Sequence, residues 1–168
     1  DVFLIVNTSQ ELAQAARILW QTHTPFTVLG GGSNVLVSDA GVRGAVLLNR
    51  ARKVRFSANS EPASVACESG ASLGLVARQA AAKGLSGLEW AAGIPGTIGG
   101  AVFGNAGAHG GDMAGNLIVA EILHPDGQQH SWDVSRMQFA YRSSILKENP
   151  AEQVIVLSAQ LRLQPKPE

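Results

Sequence analysis

The apolar and polar positions of this chain fall into short blocks of two periods. Residues 2–6 (VFLIV) form an apolar run and predict a strand. Thr8 and Glu11 then make a T-x-x-E capping box, and Leu12, Ala15, Ala16 and Leu19 recur at helical spacing. These signals predict a helix of about three to four turns, ended by Pro25. Residues 26–29 predict a short strand, and the apolar triplet Val35, Leu36 and Val37 predicts another just beyond a run of glycines. Further strands are predicted at 45–49, 53–56 and 64–68. A helix follows over 72–83, with Leu73, Val76, Ala77 and Ala80 on one side and Gly84 as its stop. Segments 116–124 and 128–133 flank Pro125, Asp126 and Gly127, a triplet whose turn chemistry predicts a hairpin. A short helical piece over 135–139 leads into AYRSSILK, and 154–164 reads as a long strand. A strand–helix–strand opening points to an α/β or α+β layer architecture.

One stretch fits neither period. Residues 84–111, GLSGLEWAAGIPGTIGGAVFGNAGAHGG, hold ten of the 19 glycines, and no charged side chain lies between Glu89 and Asp112. The segment is too glycine-rich for an ordinary helix and too apolar for an ordinary loop. Its uncharged length approaches that of a membrane span, but its many glycines, Pro95 and Asn105 argue against one. Two readings stay open. The glycines either allow tight core packing or turn bare backbone amides toward an anionic or polar ligand.

A second glycine cluster, LGGGSNVLV at 29–37, follows a predicted strand. It is not G-x-G-x-x-G opening a helix, nor a Walker A loop, since no Gly-Lys-Ser/Thr follows. Successive amides joined by the Ser33 hydroxyl and the Asn34 amide suit a pyrophosphate, while a tight β-turn is the plainer alternative.

Composition narrows the classes. The 168 residues allow one domain or two small subdomains, and 13 basic residues balance 13 acidic ones, so net charge supports no general nucleic-acid affinity. The basic cluster Arg50, Arg52, Lys53 and Arg55 spans both faces of an extended segment, as a solvated edge would. The single cysteine, Cys67, permits no intrachain disulfide and no cysteine-based metal cage, and it reads as a small buried hydrophobe. No metal site is predicted. Nothing resembles a signal peptide or an anchor, and a reducing cytosol is the expected compartment. The chain opens on DVFLIVN without an initiator Met and is expected to be a fragment.

Three motifs carry a resemblance. LGGGSNVLVSDAGVRGAVLLN, GLEWAAGIPGTIGGAVFGNAGAHGG and FAYRSSILK resemble, in order and approximate spacing, the UDP-N-acetylenolpyruvoylglucosamine reductase family, flavoenzymes of peptidoglycan precursor synthesis. The resemblance implies an α+β fold of the vanillyl-alcohol oxidase (PCMH) type, in which two subdomains, here 1–68 and 69–168, clasp a non-covalent FAD. NADPH would be the electron donor and a UDP-linked amino sugar the substrate, with no nucleic-acid or membrane partner. Carried over by position, Gly30, Gly31, Gly32, Ser33 and Asn34 would hold the FAD pyrophosphate, flanked by Val35 and Leu36. Ile94, Pro95, Gly96, Thr97, Gly99 and Gly100, with Asn105, Ala106 and Gly107, would line the flavin and its ribityl-phosphate chain, and Val156 would lie near it. Arg142 would be catalytic and bind substrate, its fixed planar charge meeting a carboxylate and the enolate that develops beside it. A structural salt bridge is the alternative for Arg142; Tyr141 would contact substrate or stand as a half-buried core residue.

The chain also departs from the family. An early FAD-approaching segment and the C-terminal domain, which supplies a serine proton donor and a glutamate, are expected to lie outside it. His109 replaces a more usual aromatic and reads as a loop histidine, and Gly104 stands where a larger side chain is common. Two other classes remain in view: an FAD-linked oxidase of the same fold, and a non-catalytic nucleotide-binding module.

Overall fold

The opening apolar run becomes the edge of a small parallel sheet. In the computed structural model, which describes residues 1–166, β1 (Val2–Val6) is followed by α1 (Ser9–Gln21), β2 (Phe26–Leu29) and β3 (Ala45–Asn49). The three strands are parallel, in the order β1-β3-β2. Parallel neighbours need a covering crossover, and α1 provides it, burying Leu12, Ala13 and Ala16. The Thr8 hydroxyl accepts from the Glu11 amide at 3.0 Å, and the Glu11 carboxylate accepts from the Asn7 amide at 2.8 Å. The capping box therefore forms with its return bond one residue early. The helix stops before Pro25, because the Thr22 hydroxyl donates to the Ile18 carbonyl and His23 turns left-handed at φ 53°.

The strand predicted at Val35, Leu36 and Val37 does not form. These residues are 54%, 100% and 54% exposed, and no described strand pairs with them. An apolar triplet becomes a strand only where it finds a partner edge and a face to bury.

The remaining elements run β4 (Val54–Ser57), β5 (Ser64–Glu68), α2 (Leu73–Ala82), β6 (Leu85–Ser86), α3 (Ile98–Gly104), β7 (Gly107–Ala108), β8 (Gly111–Asp112) and α4 (Met113–Asn116). Then come β9 (Leu117–Leu123), β10 (Gln129–Asp133), α5 (Val134–Met137), α6 (Ile145–Glu148), β11 (Ile155–Arg162) and β12 (Gln164–Pro165). The larger sheet is antiparallel, ordered β10-β9-β11-β5-β4. By strand pairing, residues 54–68 belong to this sheet, so the division expected at residue 68 falls at the end of one of its inner strands. Arg52, Lys53 and Arg55 are exposed beside its edge strand β4.

Strand β11 links the two layers. Ile155 and Leu157 enter a small core with Val6, Leu12, Leu47 and Leu123, whereas Val156, Ala159 and Leu161 enter the larger one with Val65, Ile98 and Val102. The switch of face between Leu157 and Ala159 follows from a register shift against β9 at that point.

The glycine-rich stretch is not a loop throughout. Ile98–Gly104 is helical, with Thr97 as N-cap and Ile98, Ala101 and Val102 buried. A helix holding three glycines has poor intrinsic propensity, so packing against the larger sheet sustains it. No helix among the described residues is long and apolar enough to cross a membrane.

Cys67 is buried in β5, and desolvation pushes its thiol up to about 12 from an ordinary 9.0. The folded value lies above the unfolded one, so this contribution to stability is full below about pH 9 and is lost as pH rises toward about 12. The native chain should resist a thiol reagent at about pH 8 and react at the rate at which it unfolds in urea. Labelling of the folded chain as fast as a free thiol would contradict this placement.

Candidate functional site

Residues 68–71, between β5 and α2, tie three layers together. The Glu68 carboxylate accepts from the Ser9 amide at the start of α1 and from the Lys53 amide, both at 2.9 Å. The Ser69 amide donates to Leu157 of β11 at 3.0 Å, and the Asn49 side chain at the end of β3 donates to the Ser69 hydroxyl at 2.8 Å. The amides of Ile98 and Gly99 donate to the carbonyls of Ala71 (2.9 Å) and Ser69 (2.8 Å). The approach is close enough that a Cβ on Gly99 would sit 2.9 Å from that of Ser69.

Of the two readings left open for the glycine-rich stretch, packing holds at the start of α3: the amides of Ile98 and Gly99 are spent on residues 71 and 69, and the Gly100 amide goes to the Thr97 hydroxyl at 3.4 Å. The other cluster behaves differently: the amides of Gly31, Gly32, Ser33 and Asn34 meet no acceptor among the described residues. The first cluster presents four successive free donors, whereas the second spends the opening amides of α3 on protein and leaves those of Gly96 and Thr97 without an acceptor among the described residues.

Beside the junction opens a cavity of about 1090 Å³. That is at or above the top of the ~300–1,000 Å³ common for small-molecule sites, a size suited to an extended dinucleotide-like ligand. Gly30, Gly31, Ser33, Asn34 and Val35 line it from the first cluster, and Ile94, Pro95, Gly96, Thr97, Gly99, Gly100 and Ala106 from the second. Val156 and Arg142 complete the set that the sequence placed there. The two clusters face each other so closely that a Cβ on Gly30 would lie 2.5 Å from the Thr97 hydroxyl. The cradle therefore has no room for a side chain on Gly30, and its bare donors face open space.

Five other predicted residues do not line the cavity. Gly32 is left-handed at φ 70° with nothing near its α-carbon, and Leu36 is fully exposed. Gly107 sits in the β7–β8 hairpin against Asp112. Tyr141 is 91% exposed, neither half-buried in the core nor in the cavity. Asn105 is buried, and its amide bonds only to protein groups. His109 is an exposed loop residue.

Several residues that do line it carry no local signal that singles them out. Trp20 and Phe26, whose rings meet edge to face at 5.5 Å, form an aromatic corner with Leu19 and Val28. Lys147 lies on the wall, carried by α6, an element the hydrophobic pattern does not reveal. Its one available signal was proximity to Arg142 within AYRSSILK.

Arg142 stands at the tip of a two-residue turn closed by reciprocal bonds between Ala140 and Ser143, at 3.0 and 3.1 Å. Its backbone is left-handed at φ 56°, and its carbonyl accepts from the Lys147 ammonium at 2.9 Å. Among the described residues the one ion pair is Arg43 with Asp1, so Arg142 is not engaged in a structural salt bridge. Two cationic side chains thus face a cavity that supplies them no carboxylate.

Comparison with known proteins places these features in context. Residues 1–132 match the FAD binding domain family. The chain is 42% identical to a UDP-N-acetylenolpyruvoylglucosamine reductase of Rubrobacter xylanophilus, across 98% of this chain and 54% of that one. It is 45% identical to a reductase of the same name from Streptococcus suis, across 98% and 53%. The chain therefore spans about half the length of the curated relatives it matches. The crystal structure of a UDP-N-acetylenolpyruvylglucosamine reductase from Thermus caldophilus superposes with a TM-score of 0.78 at 36% identity, covering 98% of this chain and 56% of that one. A solvent-stable cholesterol oxidase shares the fold at 14% identity, with a TM-score of 0.74 over 98% of this chain and 35% of that one. The fold is the α+β, PCMH-type FAD-binding fold expected from the sequence.

Two glycines of α3 give a paired test of the junction. Gly99→Ala forces a methyl into Ser69 and should destabilise the chain by about 1–3 kcal/mol. Gly104→Ala meets nothing within 4 Å and should be neutral or stabilising by up to about 1 kcal/mol. Urea midpoints of both variants check this; equal shifts would show that the contact at Ser69 is not limiting.

Proposed function

The chain belongs to the FAD binding domain family, and we propose that it is the flavin-binding part of an NADPH-dependent UDP-N-acetylenolpyruvoylglucosamine reductase. The observation that carries the proposal is Arg142, which has no ion pair among the described residues and lines the same cavity as Gly31, Ser33 and Asn34, whose amides are free.

The donor set suits the cofactor. An FAD pyrophosphate would take the amides of Gly31, Gly32, Ser33 and Asn34, which are exposed and meet no acceptor among the described residues. The apolar and small residues Ile94, Pro95, Gly96, Ala106 and Val156 would pack against the flat ring system, with Thr97, Gly99 and Gly100 alongside its phosphate-bearing chain. FAD, when bound, supplies the two-electron transfer by which NADPH reduces an enolpyruvyl group. The remainder is the work of the chain's own residues. Arg142 would bind the enolpyruvyl carboxylate through paired N–H donors and stabilise the negative charge that develops next to it. The Lys147 ammonium, directed at the Arg142 carbonyl, adds a second positive charge nearby.

The substrate is then a UDP-linked amino sugar, handled in the cytoplasm as a precursor of peptidoglycan. The balanced net charge gives no support to a nucleic-acid partner. The proton that completes the addition is assigned to a residue outside this chain. Taken alone, the chain binds flavin without turnover.

The purified chain, incubated with FAD and desalted, should keep the visible bands of a bound flavin; a colourless protein would overturn the cofactor assignment. In a protein that includes the remainder of the enzyme, Arg142→Lys should keep the flavin and lower kcat by about 100-fold, as loss of directional charge stabilisation does elsewhere. Unchanged kcat in that variant would remove Arg142 from the chemistry.

A further inference from the structure

The turn carrying Arg142 is anchored on both flanks to the C-terminal end of α3, by two residues that do not line the cavity. On one flank the Asn105 side chain donates to the Ala140 carbonyl at 2.9 Å and to an Asp112 carboxylate oxygen at 3.3 Å. Its amide oxygen accepts from the Ala114 amide at 3.0 Å. One end of the amide meets only acceptors and the other a donor, so its orientation is fixed by its neighbours. On the other flank the fully buried Ser144 donates to the Phe103 carbonyl at 2.6 Å. Between them lies Arg142, whose left-handed backbone is uncommon for a residue with a branched-off side chain and persists only where its surroundings hold it.

Asn105 is suited to this post. It ends α3 in a left-handed conformation, φ 43°, that asparagine tolerates better than most residues. Only 5% of it is exposed, and both hydrogens of its amide are engaged. Its side chain therefore has no donor left for a cofactor. We propose that Asn105 is a positioning residue for Arg142: its amide fastens the 140–143 turn to α3 and so fixes where the guanidinium stands in the cavity. The catalytic part of this inference rests on the reading of Arg142 as the carboxylate-binding residue; the mechanical part does not.

Two measurements test it. Trypsin cuts after Arg142 only as fast as the turn opens. Asn105→Gly keeps the left-handed backbone and deletes the amide alone, and it should raise nicking at that bond roughly five- to tenfold, the effect of losing about one hydrogen bond. Cleavage at the exposed Arg52 and Lys53 serves as the internal control. The second measurement is a double-mutant cycle on the flavin-loaded protein, in which UDP-N-acetylglucosamine enolpyruvate is titrated and its binding read from the shift in flavin absorbance. Asn105→Gly should weaken binding by about tenfold when Arg142 is present and not at all in the Arg142→Ala background. A residue that merely stabilised the fold would weaken binding equally in both backgrounds, and that result, or unchanged nicking, would overturn the proposal. Should Asn105→Gly fail to fold by circular dichroism, Asn105→Ser takes its place in both arms, since it removes the amide that reaches Ala140 without placing a carboxylate beside Asp112. A wild-type chain that holds no flavin would defeat the function assigned above, while the trypsin arm would still decide the anchoring role.

Discussion

The structure depends on the four residues 68–71, where the backbone leaves β5 and every layer claims a hydrogen bond from it. The first helix is fastened there through Glu68, the parallel sheet through Asn49, the central strand through Leu157, and α3 through Ser69 and Ala71. Asn49 and Ser69 are both buried. A buried polar group left without its partner costs about 1–3 kcal/mol, so the loss of one of these bonds is felt by more than one layer. The glycine at position 99 is a consequence: the main chain of α3 must lie against Ser69 for those bonds to form. The cavity is a consequence too, because the junction joins the two sheets at one line and leaves the glycine clusters facing each other across a gap.

Most of the elements were legible because they follow simple periods. The capping signal of α1, the stop at Gly84 and the Pro-Asp-Gly hairpin each act within a few residues, and each is found in place. The failures share one cause. Val35, Leu36 and Val37 carry strand chemistry, but strand formation needs a neighbour that local sequence cannot supply. Glycine is ambiguous in the same sense. It marks any place where something can approach the backbone: at 99 and 107 that is the protein itself, whereas a Cβ at 32 would meet nothing within 4 Å. Asn105 was read as a cofactor residue because it sits inside the glycine-rich motif; only its partners, from residues 112, 114 and 140, show that it holds protein to protein. Lys147 was missed because a four-residue helix has no periodicity to detect.

Electrostatics gives the site its sense. Arg142 and Lys147 face a largely apolar cavity without a compensating carboxylate. Both are exposed, so water screens their charges in the empty protein. Two cations without a carboxylate beside them favour the binding of an anion. The free amides of 31–34 have the same character: exposed donors, hydrated in the empty chain and open to an anion. Cationic and neutral donors thus line separate parts of one cavity, as a ligand pair with a pyrophosphate and a carboxylate requires.

Binding of that kind only accelerates chemistry if the charge is held still. A guanidinium free to follow its partner would stabilise ground state and transition state alike, which improves affinity without improving rate. The 140–143 turn answers this by strain and anchoring together. Its left-handed Arg142 is unfavourable in isolation, and bonds from Asn105, Ser144 and Lys147 offset that cost. Two of those three bonds begin or end at the C-terminal end of α3, whose N-terminal end is fixed at residues 69 and 71 and lies against Gly30 of the first glycine cluster. One short helix therefore sets where the backbone of Arg142 stands relative to the wall that would hold the flavin. A displacement at either end of α3 moves both, and that coupling explains why a helix of low intrinsic propensity is held by so many bonds that do not involve its own backbone ladder.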